Sequence, residues 1–351
     1  MSANNILLDL GYHQTLNYTI NNDLELARVI SEHRERYIVK SVSGEFEAEI
    51  IGNLRFSVQS RTDLPAVGDW VSISPYDEGK SLIHEVLPRR NILKRQSVGT
   101  KSDEQIIATN IDYAFIVEAV NRDFNINRFE RYLTICYNAN IEPVLILNKT
   151  DLIDKDVLQD YKKQIKTRIP NVQLHTTNCV NNSGLMDLKR LLNRGKTYCF
   201  LGSSGVGKST IINYLYQNEL MKTMGISESI DRGKHTTTHR QLIVLKDGGV
   251  LIDNPGMREV GLTSVEDGLN QSFAGITELA VNCKFTDCTH KNEKGCAVLN
   301  AVETGVLSEE SYKNYLRMKR ESEHYSESEA EKRRKGKKFA KMVKQVKKHK
   351  S

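Results

Sequence analysis

A glycine-rich loop at residues 202–209 has the composition and spacing of a triphosphate-binding site. It fits the pattern G-x-x-x-x-G-K-[ST] and reads Gly202-Ser203-Ser204-Gly205-Val206-Gly207-Lys208-Ser209. Glycines let backbone N–H groups surround the phosphates, Lys208 can reach the β- and γ-phosphates, and the Ser209 hydroxyl can ligate Mg²⁺. An apolar segment precedes the loop and a helical pattern including Thr210 follows it. We therefore expect a nucleotide site rather than a chance Gly/Ser-rich turn.

A second motif, which follows a predicted strand, points to guanine as the base. It reads Asn148-Lys149-Thr150-Asp151. The Asp151 carboxylate can accept hydrogen bonds from N1–H and the exocyclic amine of guanine, which adenine does not offer at those positions. Asn148 can complete the edge, and the stem of Lys149 can lie over the ring. Such a tetrapeptide is common in loops, but beside a phosphate loop it favours GTP over ATP.

The order of the motifs is unusual. In ordinary GTPases the phosphate loop precedes the guanine motif, whereas here Asn148 precedes Gly202 by 54 residues. Between them lies Thr177-Asn178-Cys179, where a backbone N–H at Cys179 would contact guanine O6. Downstream, residues 233–238 predict a first switch with Thr237 on Mg²⁺. Residues 253–256 predict a second switch, with Asp253 near the metal and the Gly256 N–H on the γ-phosphate.

Taken singly, the switch motifs have ordinary alternatives. A run of three threonines is also typical of a surface strand, and Asp-Asn-Pro-Gly is a good turn sequence in its own right. Five motifs in one consistent circular permutation favour a permuted GTPase core.

A cluster of three cysteines and one histidine lies downstream, within 14 residues. Its ligand set is Cys283-x₄-Cys288-x-His290-x₅-Cys296. Tetrahedral Zn²⁺ prefers such soft sulfur and nitrogen donors, and four protein ligands leave no open position. The spacing predicts one structural zinc per chain; buried free thiols or a redox pair are the alternatives. Cys136 and Cys199 are interpreted as ordinary core residues.

The composition is that of a folded, multidomain chain. The chain has 351 residues, 39% of them hydrophobic, with 50 Lys and Arg against 44 Asp and Glu. A wholly disordered protein is ruled out. No apolar run approaches 18 residues and no basic leader precedes an apolar block, so neither membrane spanning nor export is expected. Six cysteines without a disulfide framework fit a reducing cytoplasm.

The positive charge is concentrated at the C-terminus. Residues 331–351 contain eleven Lys or Arg and one Glu, so the rest of the chain is acidic. A helix covered by cations repels itself in isolation but gains affinity against phosphates by releasing counterions. RNA contact is favoured over a solubilising tail, and over a membrane surface because the apolar face is thin.

Hydrophobic patterning predicts a barrel followed by an alternating sheet. Short strands over residues 36–87 (Arg36–Val42, Phe46–Phe56, Asp69–Ser74 and Ser81–Leu87) indicate a small barrel of OB type. From about residue 105 to 260, strands and helices alternate, which is typical of a doubly wound sheet. The predicted strands there are Ile111–Val117, Glu142–Leu147, Asn171–Leu174, Thr197–Leu201 and a hairpin at 241–252. Residues beyond about 262 are helical and polar.

These motifs resemble the circularly permuted ribosome small-subunit-dependent GTPase A family (RsgA/YjeQ/YloQ). The resemblance covers roughly residues 35–320 and includes Ile83–Arg89 and Gln105–Asp112, which look like the family's connection from barrel to GTPase core. It implies a multidomain α/β fold with an N-terminal OB-type barrel, a permuted P-loop GTPase core and a C-terminal helical zinc domain. Two departures are Asn254, where Thr is usual, and Lys234, where Arg is usual.

The predicted domains are an N-terminal extension (1–34), the barrel (35–98), the GTPase domain (99–260), the zinc domain (261–325) and a basic tail (326–351). The resemblance implies late assembly of the 30S subunit, with 16S rRNA and GTP or GDP as partners. A cytoplasmic monomer without membrane contact is expected.

Hydrolysis requires a positioned water, and the glutamine usual after D-x-x-G is replaced by Met257. The resemblance implies that His235 takes this role, although a loop histidine is also commonly just solvated. Slow intrinsic turnover, accelerated by a partner, follows either way. The alternatives are an RNA-binding assembly factor with vestigial hydrolysis, which Met257 favours, and a metabolic P-loop enzyme such as a small-molecule kinase.

Overall fold

The structure, a computed structural model, describes most of residues 3–326. The residues outside its description are 1–2, 14–15, 17, 22, 34–35, 59, 97–103, 122–123, 221–240, 247–248, 254–264 and 327–351. The first switch, His235, Thr237, Gly256, Met257 and the tail beyond residue 326 therefore lie outside the described residues. The chain divides into two compact units, Met1–Gly261 and Leu262–Ser351.

The described elements of the first unit run in the following order. They are α1 (Ala3–Asp9), β1 (Glu25–His33), β2 (Arg36–Ser41), β3 (Glu45–Ile50), α2 (Gly52–Ser57), β4 (Trp70–Asp77), β5 (Lys80–Val86), β6 (Ile92–Gln96), β7 (Glu104–Thr109), β8 (Tyr113–Ala119), α3 (Ile126–Asn138), β9 (Glu142–Asn148), α4 (Lys155–Arg168), β10 (Gln173–Thr176), α5 (Leu185–Arg190), β11 (Thr197–Leu201), α6 (Lys208–Leu220), β12 (Gln241–Val244) and β13 (Val250–Asp253). The second unit contains α7 (Glu266–Ser272), α8 (Ala274–Ala280), α9 (Ala297–Glu303) and α10 (Glu309–Ser326).

The first five strands form a closed barrel, as the sequence predicts. Their order is β1-β2-β3-β5-β4, and β4 pairs back to β1. All neighbours are antiparallel except β3 and β5. Alternate side chains, among them Val29, Val39, Val71 and Ile83, fill the interior. The later half of the predicted strand at 46–56 is instead the short helix α2.

Strand β1 corrects the prediction that residues 1–34 are an extension outside the barrel. Residues Ala27–Ser31 are buried on both faces of the strand, so they do not show the period of two that marks a half-buried strand. Arg28 also interrupts the apolar run, so the sequence does not resemble a buried strand. Its guanidinium is fully buried because it donates to the carbonyls of Leu10, Gly68 and Asn110.

The second part of this unit is the predicted doubly wound sheet. Its strand order is β10-β9-β8-β11-β13-β12, parallel except for the antiparallel β12–β13 hairpin. Strands β8, β9 and β11 are buried almost throughout, as expected when helices cover both faces. The carboxyl ends of β9, β11 and β13 lead into the guanine motif, the phosphate loop and the second switch. Parallel strands bring such loops to one edge of the sheet.

The barrel and the GTPase sheet are joined into one continuous sheet. Ser31 of β1 pairs with Gln241 of β12. Asp112, just before β8, accepts from Arg90 at 2.9 Å and from the backbone N–H of Thr197 at 2.8 Å. Beside this junction, β6 and β7 form a two-stranded ribbon that the sequence patterning does not predict.

The second unit is helical, as predicted. Helices α7 to α10 pack around Leu269, Phe273, Ile276 and Met318, and the Cys/His loop lies between α8 and α9. In the part of the chain that the structure describes, every helix is too short or too polar to cross a lipid bilayer.

Candidate nucleotide site and metal centre

The phosphate loop joins the buried strand β11 to helix α6, and two of its glycines are required by close packing. Gly202 and Gly207 have φ of +139° and +103°. A Cβ on Gly202 would lie 2.2 Å from the carbonyl oxygen of Val117, and one on Gly207 would lie 2.2 Å from Nδ2 of Asn148. Gly205 also has a positive φ, of +80°, but nothing lies within 4 Å of its Cβ position. Gly205 is therefore favoured only by its backbone conformation, whereas Gly202 and Gly207 are also required by the lack of space for a Cβ.

Lys208, the first residue of α6, is held against the loop. Its ammonium donates to the carbonyls of Gly202 and Ser203 at 2.6 and 2.7 Å. Burial lowers the pKa of Lys208, and the Asp253 carboxylate opposes that shift. Burial likewise raises the pKa of Asp253, with Lys208 opposing it. The phosphate loop and the end of β13 therefore share one electrostatic environment, which suits a bound anion and its counter-cation.

Asn148, at the end of β9, links the guanine motif to the phosphate loop. The residue is 1% exposed, and its Nδ2 donates to the carbonyl of Val206 at 2.8 Å. Its Oδ1 accepts from the Thr177 hydroxyl at 2.9 Å and lies 3.5 Å from the Cys179 thiol. One side chain therefore fixes three predicted binding loops relative to each other.

The remaining guanine-site residues lie on loops supported by backbone bonds. Lys149 has a left-handed φ of +61°, and Asp151 follows in an exposed 3-10 turn. The Thr150 hydroxyl donates to the Thr177 carbonyl at 3.2 Å. Burial raises the pKa of the Cys179 thiol, so the neutral form is favoured. The Asp151 side chain is exposed, whereas the side chains of Thr150 and Cys179 contact the protein.

Three residues behind the phosphate loop were not predicted from the sequence. Glu118, near the end of β8, is 1% exposed and lies 3.4 Å from the guanidinium of Arg128. Burial raises the pKa of Glu118 to about 7, with Arg128 and Lys208 opposing the shift. Burial also raises the pKa of Tyr132 to about 12, and a hydrogen bond with Ser203 opposes this shift. In the sequence, the only indication of these contacts is the carboxylate of Glu118 within the otherwise apolar strand β8.

A family model described as RsgA GTPase matches residues 86–263 of the chain. A relative from Bacteroides thetaiotaomicron, named small ribosomal subunit biogenesis GTPase RsgA 1, is 39% identical over 94% of this chain and 92% of its own length. The chain belongs to the RsgA GTPase family. A relative of the same name from Oceanobacillus iheyensis is 40% identical over 92% of this chain and 91% of its own. The protein is a GTPase.

Solved structures agree with this assignment. YjeQ from Thermotoga maritima matches with a TM-score of 0.63 and 26% identity, over 84% of this chain and 97% of that one. YloQ, described as a circularly permuted GTPase, matches in fold with a TM-score of 0.61 and 23% identity, over 89% and 100% of the two chains. The predicted fold, a barrel followed by a permuted GTPase core and helices with a Cys/His cluster, is confirmed.

The second unit of this RsgA GTPase brings its four predicted metal ligands together. The donor atoms of Cys283, Cys288, His290 and Cys296 all lie within 4.8 Å of one another. The sulfurs of Cys283 and Cys296 are 3.9 Å apart and lie 3.6 and 3.5 Å from Nδ1 of His290. Such a cluster could hold a metal ion.

The loop around the cluster is fixed by hydrogen bonds that the ligand spacing does not reveal. Backbone N–H groups of Thr289, Lys291 and Asn292 donate to the Glu293 carboxylate at 2.9–3.1 Å. Hydrogen bonds to this carboxylate, of which the bond from the Thr289 hydroxyl contributes most, lower the pKa of Glu293 to about 2. The Tyr312 hydroxyl, from α10, donates to the His290 carbonyl. The four donors are thus positioned by the surrounding fold.

Some of the other predicted site residues lie among the described residues and others do not. Ser204, Ser209 and Thr210 are exposed at the loop and the first turn of α6, where a nucleotide would lie. His235, Thr237 and Gly256 lie outside the described residues, so their roles stay predictions.

Proposed function

We propose that this GTPase binds the 30S ribosomal subunit through 16S rRNA and hydrolyses GTP in response, late in the assembly of that subunit. The observation that most directly supports the nucleotide-binding part of this proposal is the Asn148 side chain, which joins the guanine motif to the phosphate loop and to the Thr177 loop. The partner is inferred from the relatives, which are named as GTPases of small ribosomal subunit biogenesis.

The proposed nucleotide contacts are those that the sequence motifs predict. Asp151 reads the guanine edge and Asn148 completes it. Lys149 covers the ring, Thr150 supports the loop, and the Cys179 N–H contacts O6. The phosphates are bound by residues 202–210 and by the Gly256 N–H. Ser209, Thr237 and Asp253 would hold Mg²⁺, which when bound neutralises developing charge on the phosphates.

Hydrolysis in this proposal depends on a water positioned by the first switch. Met257 can neither donate nor accept effectively, so His235 is proposed to orient the water. Docking on the subunit is proposed to orient His235 and the attacking water for reaction. The chain alone is therefore expected to turn over slowly.

Zinc is proposed as the metal of the Cys/His cluster, with a structural role. Tetrahedral zinc with ordinary bond lengths separates two sulfurs by about 3.8 Å and a sulfur from a nitrogen by about 3.6 Å. The corresponding distances of 3.9, 3.6 and 3.5 Å fit this geometry. Four protein donors leave no position for substrate, so zinc would stabilise the small second unit.

The nucleotide is proposed to control docking through the chain that follows the second switch. Gly256 lies only six residues before the second unit begins at Leu262. A γ-phosphate contact at Gly256 would therefore change the attachment of the zinc domain (261–325) and the basic tail (326–351) to the GTPase domain. We also propose that the GTPase domain covers residues 99–260 and that the barrel ends near residue 98. The protein is further proposed to be a monomer located in the cytoplasm.

Hydrolysis assays with purified small subunits test this function. We expect GTP but not ATP to be hydrolysed, with at least tenfold stimulation by small subunits and loss of activity in Lys208→Ala. Equal rates with and without subunits would contradict the proposal. Binding to subunits without GTP hydrolysis would instead support an assembly factor with a vestigial site, which the presence of Met257 favours.

A further inference from the structure

Helix α4 presents a shallow groove lined only by cationic and neutral polar side chains. The groove has a volume of about 430 Å³ and is lined by Gln159, Lys162, Lys163, Lys166 and Thr167. These five residues, called the lysine face here, recur at three- and four-residue spacing and so follow one side of the helix. Lys163 and Lys166 are exposed and Lys162 is partly exposed.

The three lysines differ from many other cations of the first unit, which are paired. Those with a carboxylate within 4.0 Å include Arg36, Lys40, Lys80, Lys94, Arg190 and Lys196. Among the described residues, no such partner lies beside Lys162, Lys163 or Lys166. The Asp160 carboxylate, on the same helix, accepts from the Gln164 side-chain amide at 2.6 Å and lies outside ion-pair distance of these lysines.

Helix stability alone does not account for this arrangement. Lys162 and Lys166 are four residues apart and Lys163 and Lys166 are three apart, and like charges at such spacing destabilise a helix by about 0.2–0.5 kcal/mol per pair. Lys166 lies in the last turn, where the helix dipole favours a cation. That benefit does not extend to Lys162 and Lys163, one turn earlier. A bound polyanion would relieve the repulsion.

The helix that bears these lysines is firmly anchored. Arg168, at its last position, donates to both carboxylate oxygens of Glu130 at 3.0 and 2.6 Å, and Glu130 lies on α3. Arg168 and Glu130 are 8% and 1% exposed at their side chains, so the pair is shielded from water. A ligand on the lysine face would therefore meet a preorganised surface.

We propose that the lysine face binds the phosphate backbone of double-helical RNA. From Gln159 to Thr167 the helix rises about 12 Å, and a nucleic-acid duplex carries about one charge per 1.7 Å of its axis. No aromatic side chain lines the groove, so the contact would be made without reading bases. An acidic protein segment fits less well, because the groove lacks the apolar centre of a protein interface.

The position of the lysine face indicates a large RNA rather than a short one. Helix α4 connects β9 to β10 at one edge of the sheet, whereas the barrel continues from β12 at the other edge. The strands from β10 to β12 span five inter-strand spacings, so the two edges of the GTPase sheet are about 24 Å apart. This inference rests on the proposed function for the identity of the large partner, and a structured ribosomal RNA could contact both edges together.

The test measures binding of the full-length protein to a 20-base-pair RNA duplex and to purified small subunits over a range of KCl concentrations. The variant K162Q/K163Q/K166Q removes the charges, and K162R/K163R/K166R keeps them as a matched control. Up to three lost phosphate contacts should lower the slope of log K against log salt by about 2–3. We expect at least a tenfold loss of affinity for both ligands in the glutamine variant only.

The outcomes separate this inference from the proposed function. Wild-type affinity and slope in the glutamine variant would overturn it, as would an equal loss in the arginine variant. Loss of binding to poly-glutamate with unchanged binding to the RNA duplex would overturn it in favour of an acidic protein. Basal GTP hydrolysis should be the same in all variants. If subunits fail to stimulate the wild-type enzyme, the proposed function fails, while the duplex assay still decides the role of the lysine face.

Discussion

The side-chain amide of Asn148 donates to the carbonyl of Val206 at 2.8 Å, and this bond connects the guanine motif to the phosphate loop. Both residues are almost fully buried, at 1% and 4% exposure. The phosphate loop therefore depends on a residue 54 positions earlier in the chain. In the permuted order, the guanine motif is part of the support on which the phosphate loop is built.

Asn148→Ala should impair binding of GTP and GDP equally, by at least about a hundredfold. The substitution leaves the Val206 carbonyl and the Thr177 hydroxyl buried without this partner, at a cost of about 1–3 kcal/mol in unfolding free energy. Nucleotide titration and thermal unfolding measure the two effects. Asn181→Ala is the control, because Asn181 is exposed and accepts only a local bond from the Ser183 N–H. Unchanged affinity for either nucleotide would contradict the linking role.

Gly207→Ala and Gly205→Ala form a matched pair within the phosphate loop. Both glycines have positive φ, so each alanine adds backbone strain of about 1 kcal/mol. Only at Gly207 does the new Cβ also meet Asn148, at 2.2 Å, so only this variant should displace the linking amide. Titration with labelled GDP should show a loss of at least a hundredfold for Gly207→Ala and tenfold or less for Gly205→Ala. Equal losses would show that the close approach is unimportant.

The sequence predicts those parts of the site in which local spacing determines the chemistry. Local spacing determines the phosphate loop, the Cys/His set and the strands before each motif. Strand Thr197–Leu201, for example, is found at the predicted bounds. The roles of Asn148 and Arg28 depend on distant carbonyls, which a local pattern does not contain. Strand β1 is missed for a different reason: because it is buried on both faces, its sequence lacks the alternation of apolar and polar residues that marks a half-buried strand.

Glu118→Gln should stabilise the protein above neutral pH. Burial raises the pKa of Glu118 from 4.5 to about 7, so the stabilising contribution of its protonated form is complete below pH 4.5 and is lost as the pH rises through 7. The glutamine side chain does not ionise, so the variant avoids this loss of unfolding free energy, which amounts to about 3 kcal/mol at most. Its Tm should equal that of the wild type near pH 5 and exceed it by pH 8. Glu142→Gln, on an exposed residue of β9, is the control. A constant difference across this range would contradict the assignment.

Cys288→Ser should remove the metal from the second unit. Because the four donors act together, loss of one thiolate should reduce zinc content from one per chain to nearly none. Metal analysis of the purified protein measures this, and GDP binding by the first unit should persist. Cys136→Ala, which alters a buried thiol of α3 far from the cluster in sequence, should retain one zinc. Retention of zinc by Cys288→Ser would contradict the proposed ligand set.

Docking on the small ribosomal subunit is proposed to depend on the bound nucleotide. The most direct test measures the affinity of the full-length protein for purified small subunits with a non-hydrolysable GTP analogue, with GDP and without nucleotide. We expect at least tenfold tighter binding with the GTP analogue than in either other state, because γ-phosphate contacts at the second switch would act on the chain that leads to the zinc domain. Equal affinity in all three states would contradict it.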